Sequence, residues 1–289
     1  MSPALAVERV RARSALTPTG GYLAGSYTHT FNPAYGCAYA AGTCGSFCYA
    51  RGFAERRLGA GAWGRRVQWK ANAPELLARE LARAARRDPA HRHHLARLSV
   101  FSSSTTDPCA TREGLELYRA CLGAVAERSP RRWVLQTRSP QVVELEEELA
   151  RLAGAVVVSF TIETDDEAVW RSGRTGAPGI EARRRAFERM GEWRVRRHLA
   201  VSPTLPVRDP EGFADWIAEH ATDATVDTFV SGDGSGGTRT AGAPVVGWLG
   251  ERGVDWRDEE GARRLFGLLR ERMGERVGWS AEGFARLGR

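Results

Sequence analysis

Apolar residues follow two alternating rhythms along this chain. Short runs rich in β-branched and aromatic residues predict strands at 26–30, 98–102, 133–136, 155–160, 198–201 and 225–230. Between them the apolar positions fall at helical spacing. After Pro74 come Leu76, Leu77, Leu81, Ala84 and Ala85; later come Leu115, Tyr118, Leu122 and Val125, then Val142, Leu145, Leu149 and Leu152. Ala182, Ala186 and Met190, then Phe213, Trp216, Ile217 and His220, and finally Ala262, Leu265, Phe266, Leu269 and Met273 predict three further helices. Strict strand–helix alternation predicts an α/β fold with a parallel sheet and right-handed crossovers, as an open doubly wound sheet or a partial barrel.

Each predicted strand runs into a polar cluster at its carboxyl end. These are 32–49 with its cysteines, 102–107, 137–140, 161–166, 202–204 and 231–237. A parallel sheet gathers such ends on one face, where ligands bind, so the pattern predicts an enzyme. The 289 residues suit one large domain or two small ones, and 42% hydrophobic with 27% charged residues excludes wholesale disorder. No apolar run approaches the ~18 residues of a membrane span, and residues 1–14 lack an apolar signal core. A cytoplasmic location is therefore expected.

The net charge is +7. It fits an anionic partner such as nucleic acid, or a coding bias toward Arg. Lys70 is the only lysine, which makes its ammonium a singular feature of an Arg-rich chain.

Three of the five cysteines, Cys37, Cys44 and Cys48, fall within twelve residues on a glycine-rich segment. The odd total argues against a disulfide framework. Three thiolates suit a [4Fe–4S] cluster with one iron left open. A zinc site completed by His29, in a protein binding nucleic acid, is the alternative. Cys121 continues a helical apolar stripe and is expected in the core.

The stretch Asn32-Pro33, Cys37, Cys44, Phe47-Cys48-Tyr49-Ala50-Arg51 resembles the radical S-adenosylmethionine (SAM) superfamily, and within it the spore photoproduct lyase-like, or DNA repair photolyase-like, branch. Further matches are Lys70-Ala71-Asn72-Ala73-Pro74, Ser104-Thr105-Thr106-Asp107-Pro108, Thr137-Arg138-Ser139-Pro140 and Ser202-Pro203-Thr204-Leu205-Pro206. The cluster loop is a variant, C-x6-C-x3-C in place of C-x3-C-x2-C, and Arg138 replaces the branch's lysine. The resemblance implies a partial (β/α)6 barrel over 26–240, with an N-terminal extension over 1–25 and a helical extension over 241–289. It implies that Cys37, Cys44 and Cys48 hold the cluster and that SAM is cleaved to a 5′-deoxyadenosyl radical that abstracts hydrogen from a substrate. Phe47 would pack the adenine, Thr106 and Ser159 would hydrogen-bond SAM, Arg138 would pair its carboxylate and Glu163 would accept from its ribose. Cys109, four residues beyond Thr105, is the candidate catalytic thiol. An external flavodoxin- or ferredoxin-type donor would supply electrons.

The 231–237 loop resembles a phosphate cradle, making Asp233 and Arg239 substrate candidates and nucleotide binding a further alternative. Arg183-Arg184-Arg185 reads as a charged helix face. His91, His93 and His94 read as a solvated linker.

Overall fold

The computed structural model describes residues 5–172 and 176–289. Residues 1–4 of the expected N-terminal extension lie outside the described residues. Strands β1 (Ala6–Val10), β2 (Leu16–Pro18), β3 (His29–Phe31) and β4 (Ala34–Tyr35) precede the cysteine loop; helix α1 (Arg51–Leu58) and β5 (Arg66–Lys70) follow it. Then come α2 (Ala73–Ala85), β6 (Ser99–Ser102), α3 (Arg112–Glu127), β7 (Arg132–Thr137), α4 (Glu146–Ala150), β8 (Val156–Thr161), α5 (Glu167–Arg171), α6 (Ile180–Arg189), β9 (Arg196–Val201), α7 (Pro210–His220) and β10 (Asp223–Val226). The chain ends through α8 (Phe229–Gly232), α9 (Thr238–Ala241), α10 (Val245–Gly250), α11 (Glu260–Met273), β11 (Val277–Trp279) and α12 (Ser280–Leu287).

The main sheet has the order β11-β10-β9-β8-β7-β6-β3-β2. From β3 to β11 every neighbouring pair is parallel, and β2 caps the edge antiparallel to β3. The α/β parallel sheet expected from alternation is therefore present. The strand expected at 225–230 ends at Val226, because the Thr228 hydroxyl accepts from the Ser231 amide at 3.1 Å and turns the chain into α8. Residues 241–289 are not purely helical: β11 pairs with β10 and extends the sheet. A three-residue strand with glycine at its centre leaves no alternation to read. β1, β5 and β4 form a separate three-stranded sheet.

Period-two alternation divides the two faces of the main sheet. Trp133, Leu135, Val156, Val158, Phe160, Leu199 and Val201 join the helices in the large core. On the opposite face Phe101, Val134, Val157 and Ala200 meet Phe284 and Leu287 of α12 in a smaller cluster. α12 fits there because Gly283 has no side chain: a Cβ would collide with Thr225 Oγ1 and sit 3.0 Å from the Gly278 carbonyl. The terminal helix thus covers one end of this face and leaves the carboxyl ends of the strands open.

Candidate active site

A cavity of about 540 Å³ occupies that open end. Its wall collects the strand-end residues: Ser103 to Asp107 after β6, Gln136, Thr137 and Arg138 from β7 onward, Thr161 of β8, Ser202 after β9 and Asp227 after β10. Cys37, Cys44 and Cys48 line the same cavity, beside Tyr49, Phe53 and Lys70.

The cysteine loop is two short 3-10 turns, Ala38–Ala41 and Thr43–Ser46, folded tightly on one another. Gly36 takes φ +80°, and a Cβ there would stand 2.5 Å from the Arg66 carbonyl oxygen. At Gly45 a Cβ would collide with the Ala40 carbonyl. Glycine is therefore required where the loop closes. All three thiols are free. Burial pushes each one up, Cys44 to about 11. Unliganded, they are protonated at neutral pH, so binding iron must displace those protons.

Three buried polar atoms border this wall without a hydrogen-bond partner: Thr106 Oγ1, Arg138 Nη1 and Glu163 Oε1. Thr106 and Arg138 line the cavity. Arg138 Nη1 lies 2.9 Å from Glu163 Oε1, an ion pair whose alignment falls short of a hydrogen bond. Behind it Arg183 Nη1 donates to Glu163 Oε2 at 2.6 Å and to the Thr161 carbonyl at 3.1 Å, its guanidinium 4.0 Å from the Trp170 ring. Burial pushes Arg183 down, opposed by Glu163, whereas Arg138 lies above its ordinary value, the pull of Glu163 and the cysteines overcoming burial. The charged-face reading of 183–185 is corrected for Arg183, which is fully buried. It shares the inward face of α6 with Ile180 and Phe187, a phase visible in the sequence.

Asp107 organises the floor. Its carboxylate accepts from Thr137 Oγ1, the Arg138 amide and the Cys109 amide, all at 2.9–3.0 Å. A second network runs across four strands. Thr225 Oγ1 lies 2.8 Å from His198 Nε2, and His198 Nδ1 lies 2.8 Å from Ser159 Oγ. Ser159 donates to Gln136 Oε1 at 2.7 Å, and Gln136 donates to Thr161. That order requires hydrogen on Nδ1 of a neutral His198.

The structure therefore brings together Cys37, Cys44, Cys48, Thr106, Arg138, Asp233 and Arg239. Four expected residues do not line the cavity. Glu163 is covered by its two arginines, and Ser159 stands behind Gln136. Phe47 sits in the core, edge-on to Phe229 at 5.9 Å. Cys109 is fully buried, with its thiol pushed well up by that burial. Two alternatives lose their geometry. The 231–237 nest holds the protein's own Asp233 carboxylate, which accepts from the amides of Ser235, Gly237, Arg239 and Thr240 at 2.7–3.1 Å, so no phosphate is needed. His29 lies at the amino end of β3 with its ring 4.9 Å from that of His93, and no group of three metal-ligating side chains among the described residues could hold a single ion. Sequence reasoning missed Gln136, Asp227 and Tyr22, whose hydroxyl donates to Asp227 at 2.8 Å; isolated polar residues at strand ends carry no spacing signal.

No family model matches the chain, and no curated protein matches it by sequence. Solved structures do. A cysteine-to-serine variant of spore photoproduct lyase aligns at TM-score 0.56 and 14% identity over 77% of this chain and 61% of its own. A variant with bound AdoMet and dinucleoside spore photoproduct aligns at TM-score 0.56 and 14% identity over 94% of this chain and 67% of its own. Spore photoproduct lyase complexed with dinucleoside spore photoproduct aligns at TM-score 0.55 and 14% identity over 93% and 67%. This chain thus spans about three-fifths to two thirds of the length of those proteins, and it has the fold of spore photoproduct lyase.

Proposed function

We propose that the chain is a radical SAM enzyme of the spore photoproduct lyase-like branch, its open parallel sheet being the partial (β/α)6 barrel of that superfamily. The observation that carries this reading is the convergence of three free thiols and the Arg138 side chain on one cavity at the carboxyl ends of parallel strands. The donor set fits an iron–sulfur group: soft thiolates, a glycine-lined loop and a cavity wall with spare polar capacity. Cys37, Cys44 and Cys48 would hold the cluster, which would supply the electron for reductive cleavage of the SAM sulfonium. The remaining work falls to the protein. Arg138, held through Nη1 by Glu163, would present the rest of its guanidinium to the methionine carboxylate, and Thr106 its unpartnered hydroxyl. Glu163 and Arg183 fix the angle of Arg138 from behind, and Ser159 fixes the amide of Gln136. Phe47 buttresses the loop next to Cys48.

An external electron donor, a cytoplasmic setting and a nucleic-acid substrate complete the reading; the +7 charge and the dinucleoside in the neighbouring structures favour the last. The test is anaerobic reconstitution. The chain should take up about four irons and release 5′-deoxyadenosine from SAM under dithionite. The Cys37→Ala/Cys44→Ala/Cys48→Ala variant should do neither. Stoichiometric zinc in a colourless protein would sink the reading.

A further inference from the structure

Among the described residues, one pair of cations in the cavity forms no ion pair with a carboxylate. Lys70, the last residue of β5, is 7% exposed and lines the cavity. Its Nζ lies 4.5 Å from the centroid of the Tyr35 ring, and the Arg57 guanidinium carbon lies 4.5 Å from the same centroid. Arg57 is exposed at the rim and also lines the cavity. Among the described residues neither cation meets a carboxylate within ion-pair distance. Glu80 is close enough to influence Lys70, but its two oxygens accept from the Ala15 and Leu16 amides at 3.0 and 2.8 Å.

Two like charges held against one ring, one of them buried, raise the free energy of the empty site. An arriving anion relieves both costs. The frame is rigid: the Lys70 amide donates to the Pro33 carbonyl at 2.9 Å, and β5 is paired on both edges, to β1 and β4. A point charge beside a planar fork matches a group with several oxygens, where a single carboxylate would need only one of them.

We propose that Lys70 and Arg57 form an anion subsite of the cavity that takes a phosphate group of the substrate. The subsite uses neither Arg138 nor a cysteine, so it stands or falls separately from the cluster reading.

The lone lysine makes the test direct. Whole protein grown with ¹³C-lysine should give a single Lys Cε resonance, and titration with inorganic phosphate or pyrophosphate should move it saturably. Calorimetry should find pyrophosphate binding weakened at least about tenfold in Lys70→Met and in Arg57→Gln, and retained in Lys70→Arg. Arg57 is at the surface, so its variant keeps the fold and isolates the charge. An unmoved resonance, equal affinity in Arg57→Gln, or malonate binding as tightly as pyrophosphate would each overturn the proposal.

Discussion

Arg138 Nη1 stands 2.9 Å from Glu163 Oε1, and that carboxylate is shared with the wholly buried Arg183. A cavity-facing cation is thus held by an anion that the cavity never touches. Glu163→Gln removes the carboxylate shared by the wholly buried Arg183 and the partly exposed Arg138. Breaking a buried pair from one side costs about 3–5 kcal/mol, because the uncompensated charge remains. Urea unfolding should show that loss, and Glu163→Gln/Arg183→Met should recover part of it. An unchanged midpoint for the single variant would mean that the triad is already open to water.

Cys109 makes the opposite case. It is buried, its amide serves Asp107, and its carbonyl accepts from Ser139 Oγ at 2.5 Å. These are backbone contacts. Cys109→Ala should keep 5′-deoxyadenosine formation within about twofold and cost only about 1 kcal/mol of stability, as a small cavity does. Loss of turnover in a folded Cys109→Ala protein would restore the thiol as a reactant.

The fold was legible where burial on both faces or a helical stripe writes a period into the sequence. Val156 to Phe160 and the Leu115-Tyr118-Leu122-Val125 face are such places. The loop of Cys37, Cys44 and Cys48 was legible because thiols clustered on glycines have few other uses. What stayed hidden depends on which neighbour a side chain finds across the sheet. Ser159 reads as a ligand by position, yet His198 and Gln136 claim its hydroxyl. Asp233 reads as a cradle residue, yet the four amides of the cradle close on Asp233 itself.

His198 gives a prediction in acid. Burial lowers it to about 3 from its ordinary 6.5, with Asp223 opposing and Arg196 reinforcing. The unfolded chain takes up a proton near pH 6.5 while the folded chain does not. Stability from this residue is therefore lost as pH falls from 6.5 toward 3, by about 1.4 kcal/mol per pH unit. Wild type minus His198→Asn should show that slope in denaturant midpoints between pH 7 and 4. A flat difference would mean that the folded imidazole takes the proton too.

Lys70 gives the mirror prediction in alkali. Burial first, and Arg57 second, lower its ammonium from 10.5 to about 8, with Glu80 opposing. Below pH 8 both folded and unfolded chains carry the charge, and the folded chain bears the full burial cost. Between pH 8 and 10.5 the unfolded chain binds more protons, so stability rises with pH and the cost fades. Lys70→Met should therefore stabilise the protein at pH 7 by roughly 2–3 kcal/mol, and this gain should shrink steadily up to pH 10.5. Arg57→Gln should deliver a smaller part of the same gain at pH 7 by removing the second cation. A gain in Lys70→Met that stays constant from pH 7 to 10.5 would show that the methyl group's packing, and no relieved charge, is its source.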